Sequence, residues 1–70
     1  MKYITENINL KDIYGNTPLI KSAIAGNKYL VEAFVNWGAD PKIKNNEDKN
    51  AYDLAKTKFI KEYLFNLTYN

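Results

Sequence analysis

Asp12-Ile13-Tyr14-Gly15-Asn16-Thr17-Pro18-Leu19 is the stretch that decides how this chain folds. Its first five residues read as a turn. Gly15 is free to take a positive φ, and Asp12 is placed to bond the backbone ahead of it. Thr17-Pro18 then reads as a helix start. The threonine hydroxyl caps the first free N–H groups, and a proline at the first helical position forfeits no hydrogen bond. Leu19 and Ala23 share a face, with Ser22 and Ala25 small enough for close packing. Gly26-Asn27 ends the helix, as a glycine just beyond a helix end does.

Working outward, a second helix runs from about Lys28 to Trp37. Leu30, Ala33, Phe34 and Trp37 follow the spacing of one helical face, and Val31 and Val35 widen the stripe. Gly38 closes it, and Ala39-Asp40-Pro41 turns the chain, since proline cannot continue a helix. Asp40, like Asp12, is best explained as a residue that bonds nearby backbone. Lys42–Lys49 is polar apart from Ile43 and reads as a loop or a short extended hairpin. Asn50 is a further N-cap, with Asp53 in the first turn, where a negative charge suits the helix dipole. Leu54, Ala55, Phe59, Ile60, Tyr63, Leu64 and Leu67 are apolar at helical spacing. With no Gly or Pro between Ala51 and Leu67, this is one long helix or two short ones with a tight turn near Thr57-Lys58.

Seventy residues suffice for one small domain, and such domains usually need a disulfide, a metal or a partner. With no Cys and no His, disulfides and the common zinc sites are removed, as are imidazole bases and thiolate nucleophiles. Glu47-Asp48 lacks the spacing and glycine of a calcium loop, and no Gly-rich phosphate loop is present. No cofactor, small-molecule substrate or catalytic role is expected. No run approaches the roughly 18 apolar residues of a membrane helix, and the N-terminus lacks a signal-peptide core, so a cytoplasmic location is the expectation. Ten lysines oppose eight acids, with the +2 net charge in the second half of the chain. The lysines between 42 and 61 read as a solvated face. Without Arg or a basic–aromatic stacking motif, nucleic-acid recognition is not expected.

The Gly of the turn, Thr17-Pro18-Leu19, Gly26 and Gly38-Ala39-Asp40 together resemble an ankyrin repeat, and Asp12–Lys44 spans one full period of that family. Asn7–Lys11 resembles the tail of a preceding repeat, so residues 1–11 are such a tail or an N-terminal cap built on Tyr3, Ile4 and Ile8. Residues 45–70 resemble a divergent C-terminal repeat, with Asn50–Ala55 at the Thr-Pro-Leu position and Phe59–Leu64 as the second helix. That alignment needs three residues missing at the helix–helix turn, and it favours two helices over one in 51–67. Ile20 stands where the family usually has His. A gapless offset of one period gives only two identities, Lys11/Lys44 and Lys28/Lys61, so the second unit rests on its motif.

The resemblance implies an all-α stack of antiparallel helix-turn-helix units that binds proteins through hairpin tips and inner helices. Carried over by position, the contact residues are Ile13, Tyr14 and Asn16 at the first turn, Ile24 and Ala25 at the end of the first helix, Lys44 before the second turn, and Asn46, Glu47 and Lys49 at the second tip. Trp37, Phe59, Tyr63 and Leu67 are expected in the core. About three such units are normally needed to bury their faces. One complete unit therefore leaves three explanations: the end of a longer array, a chain that pairs with itself or a partner, or an improvised N-terminal cap. Self-association through the incompletely capped N-terminal face is the alternative to binding a different protein.

Overall fold

The computed structural model describes residues 7–69, so Tyr3 and Ile4 of the expected cap lie outside the described residues. Four helices occur among them: α1 Pro18–Ala25, α2 Lys28–Asn36, α3 Ala51–Leu54 and α4 Lys58–Tyr69. No strand is present among the described residues. Each helix pair is antiparallel in the manner of a helix-turn-helix unit, and α3–α4 stacks on α1–α2.

The caps at Thr17, Gly26 and Asn50 are those the sequence specifies, and Asn27 and Thr57 cap the second helix of each unit as well. Thr17 Oγ1 accepts from Ile20 N, and Gly26 takes a left-handed φ of 75° beyond α1. Asn27 Oδ1 accepts from Leu30 N to start α2. Asn50 and Asp53 form a reciprocal capping box at α3, each side chain bonding the other's backbone N–H. Thr57 Oγ1 accepts from Ile60 N and starts α4.

The region 51–67 is therefore two helices, and the first is a single turn. The break has a local cause. Ala55 is extended, and Lys56 N donates to the Ala23 carbonyl at the end of α1. Leaving the helix at Ala55 lets the chain bond the neighbouring unit. Gly26 makes room there: a Cβ on it would sit 3.1 Å from Lys56 Cδ.

The core runs between the two units. Leu19, Ile20, Ala23 and Val31 from the first meet Ala51, Ile60 and Leu64 from the second, with Ile8 and Ala39 closing the edge. Ile20 is fully buried in this apolar cluster. Three expectations fail here. Phe59 and Leu67 are both exposed, because Ile60 and Leu64 already fill the face of α4 that meets the first unit. Phe59 instead stacks on Tyr63 under the Lys28 ammonium. Trp37 is also exposed, with its ring edge-on to Phe34 at 5.8 Å, because it is the C-cap that follows the last residue of α2. Among the described residues no helix is long and apolar enough to cross a membrane.

Candidate protein-interaction surface

Two hairpin tips with one geometry stand side by side. In the first, Asp12 Oδ1 accepts from Tyr14 N and Asn16 N, both at 2.9 Å. In the second, Asn45 Oδ1 accepts from Glu47 N at 2.9 Å and Lys49 N at 3.1 Å. Asp12 N donates to the Asn16 carbonyl, and Asn45 N to the Lys49 carbonyl. Every one of these partners is displaced by one repeat period. The tips are also tied together. Asn46 N donates to the Tyr14 carbonyl and Asn46 Nδ2 to the Ile13 carbonyl, each at 3.0 Å. Asn45 Nδ2 donates to Asn16 Oδ1 at 2.9 Å.

These bonds spend the polar groups of Asn16 and Asn45 within the protein and leave the apolar side chains outside. Ile13 is 83% exposed, Tyr14 65% and Ile24 44%. A cleft of about 310 Å³ opens between tips and inner helices, lined by Tyr14, Asn16, Ile24, Asn45, Asn46, Glu47 and Leu54. It joins five of the nine sequence-derived candidates. Ile13 crowns the tip outside it. Lys49 is exposed on the second tip, and Lys44 is held near Asp48 at 3.7 Å in solvent. Asn45 and Leu54 were missed. Asn45 had a signal in the period, since it stands one repeat after Asp12, whereas Leu54 had none, because it joins the cleft only through the packing of α3 beside α1.

Ala25 belongs elsewhere. With Pro18, Lys21, Ser22, Leu30 and Phe34 it lines a second cleft of about 340 Å³, on the side of the first unit turned away from the second. Among the described residues no group of three acids, His or Cys is placed to hold a metal ion.

A rigid, tip-bonded surface with exposed aromatic and aliphatic side chains suits recognition by contact. The family model described as Ankyrin repeat matches residues 14–46. The chain is 38% identical over 58 residues to mouse Oxysterol-binding protein-related protein 1, covering 83% of this chain and 6% of that protein. The human protein of the same name is 36% identical over the same length. Regulatory protein SWI6 of Kluyveromyces lactis is 46% identical over 43 residues, covering 61% of this chain and 6% of that protein. The chain thus spans about 6% of the length of the curated relatives it matches. Ankyrin repeats are a non-enzymatic fold that binds proteins, and residues 14–46 of this chain are a repeat of that family.

Proposed function

We propose that the chain binds a protein partner through the cleft between its hairpin tips and inner helices. The observation that carries this reading is the convergence of Tyr14, Ile24 and Leu54 on one cleft whose rim is fixed by one backbone and two side-chain hydrogen bonds between the tips. Ile13 flanks it and Glu47 lines it, both as exposed contacts. Because the tips are already ordered, little loop entropy is lost on binding.

The test uses the full chain with a photo-crosslinking residue in place of Ile13. A partner recovered this way should bind the unmodified chain saturably. Its binding should fall at least tenfold in the Tyr14→Ala, Ile24→Ala double variant, with helicity unchanged. Undiminished binding by that variant would remove the cleft from the function.

A second reading, self-association, is favoured by the other cleft. Leu30 and Phe34 give it an apolar wall that nothing in the second unit covers.

A further inference from the structure

The cleft between the tips pairs an apolar wall with a single charge. Tyr14, Ile24 and Leu54 supply the wall, and Glu47 is the one lining residue charged at neutral pH. The other charges of the tips are paired or lie outside the cleft. Asp12 Oδ2 is 3.8 Å from Lys21 Nζ, and Asp48 Oδ1 is 3.7 Å from Lys44 Nζ. Lys49 is exposed on the second tip and does not line the cleft. Among the described residues the Glu47 carboxylate makes no ion pair.

The neighbouring backbone strengthens the same bias. Asn46 N donates to the Tyr14 carbonyl, and Glu47 N to Asn45 Oδ1, so both backbone donors are spent. Asn46 Nδ2 is held by the Ile13 carbonyl, which turns the accepting Oδ1 into the position left for a partner. This stretch of the second tip therefore presents mainly acceptors. Acceptors around an unpaired carboxylate suit a cation that donates several hydrogen bonds, as a guanidinium or an ammonium does. The wall beside them suits an aliphatic side chain.

Size and place narrow the occupant further. At about 310 Å³ the cleft is at the small end of ligand-sized sites and takes one or two side chains. An extended segment delivers such a pair, because residues two apart lie on one face roughly 7 Å from each other. The cleft is walled by both units and both tips, so it runs along the row of units. A further unit before α1 or after α4 would stack on an end of that row and leave this side unfilled.

We infer that the partner enters the cleft through an extended peptide segment with an arginine or lysine close to an aliphatic residue. The cation meets Glu47 and Asn46 Oδ1, and the aliphatic side chain lies against Tyr14, Ile24 and Leu54. This rests on the cleft reading and adds the chemistry of what fills it. The net charge of +2 does not oppose it, because physiological salt screens exposed charges beyond about 8 Å.

The probes are random linear heptapeptides displayed on phage and selected on the full chain, with enriched peptides synthesised and titrated by fluorescence anisotropy. They should share a basic residue at a fixed spacing from Leu, Ile or Val. Glu47→Gln should weaken binding about threefold and Glu47→Lys about tenfold, the scale of an exposed charge pair and its reversal. Glu62→Lys on α4 makes the same change in net charge as Glu47→Lys and should leave binding unchanged. Circular dichroism at 222 nm confirms that each variant is folded, and Glu47→Gln carries the test should Glu47→Lys lose helicity. Peptides that need Tyr14 and Ile24 but carry no basic residue, or that bind both Glu47 variants as well as the native chain, overturn the basic segment and leave the cleft standing. Failure to enrich any peptide overturns the linear segment. Peptides that bind the Tyr14→Ala, Ile24→Ala variant undiminished overturn the cleft reading as well.

Discussion

Gly15 and Asp48, one repeat period apart, occupy the same left-handed step of two equivalent tips, with φ of 81° at the glycine and 64° at the aspartate. Asp48 is the only non-glycine residue with positive φ among the described residues. The conformation costs an L-residue about 1 kcal/mol, although aspartate tolerates it better than most. The Lys44 pair it makes in solvent offsets little of that. Asp48→Gly should therefore stabilise the fold by about 0.5–1 kcal/mol, read from the urea midpoint at constant m. Gly15→Ala should cost about 2 kcal/mol or more, since its Cβ would lie 2.5 Å from Asn46 Oδ1 and 2.7 Å from Asn46 N.

The two N-caps should differ in weight. Thr17 and Asn50 are both buried. Thr17 caps a helix of eight residues, whereas Asn50 holds a single turn through both halves of a capping box. Thr17→Ala is expected to cost about 1 kcal/mol and Asn50→Ala about 2 kcal/mol. Thermal unfolding followed at 222 nm checks both, and equal losses would contradict the box's importance.

Thr68 is a liability in the core. Its Oγ1 is buried with no hydrogen-bond partner, on the inner side of α4. Thr68→Val keeps the shape and removes the unpaired hydroxyl. A gain of about 1 kcal/mol in unfolding free energy is expected. Thr68→Ser, which keeps the hydroxyl and loses a methyl, should be less stable than the native protein.

Tyr63 should make stability fall at alkaline pH. Burial holds its phenol above the ordinary value of 10.0, and the nearby Glu32 carboxylate raises it further. The folded state thus keeps this proton more tightly than the unfolded chain. The contribution is fully present below the unfolded value, about 10, and is lost as pH rises through the folded one. Tyr63→Phe should flatten the stability profile above about pH 10, and Glu32→Gln should flatten it partly. Denaturant midpoints between pH 8 and 11 report both.

The first unit was legible in the chain because its signals are local. Thr17-Pro18, Gly26-Asn27 and Asp12 each act on backbone within four residues, and each does so in the structure. The second unit was legible only as a motif, since its conformation repeats where its residues do not: Asn45 does the work of Asp12, and Asp48 that of Gly15. The cleft was half legible. Tyr14 and Ile24 follow from position in a repeat, but Leu54 joins them only because α3 is laid beside α1.

By itself, then, the sequence determined the caps, the turns and the alternation of helices, because these depend on neighbours along the chain. Only the tertiary structure decided which apolar faces are closed. Phe59 and Ile60 are adjacent and equally apolar, yet Ile60 is buried and Phe59 is exposed. The difference is the rotation of α4 on the first unit, set by the Lys56 N bond to the Ala23 carbonyl and by the early exit from α3. The same stacking closes the face formed by Ala51, Ile60 and Leu64 and leaves its counterpart, lined by Leu30 and Phe34, open to solvent. Burial is a property of what lies opposite, and no local pattern carries it.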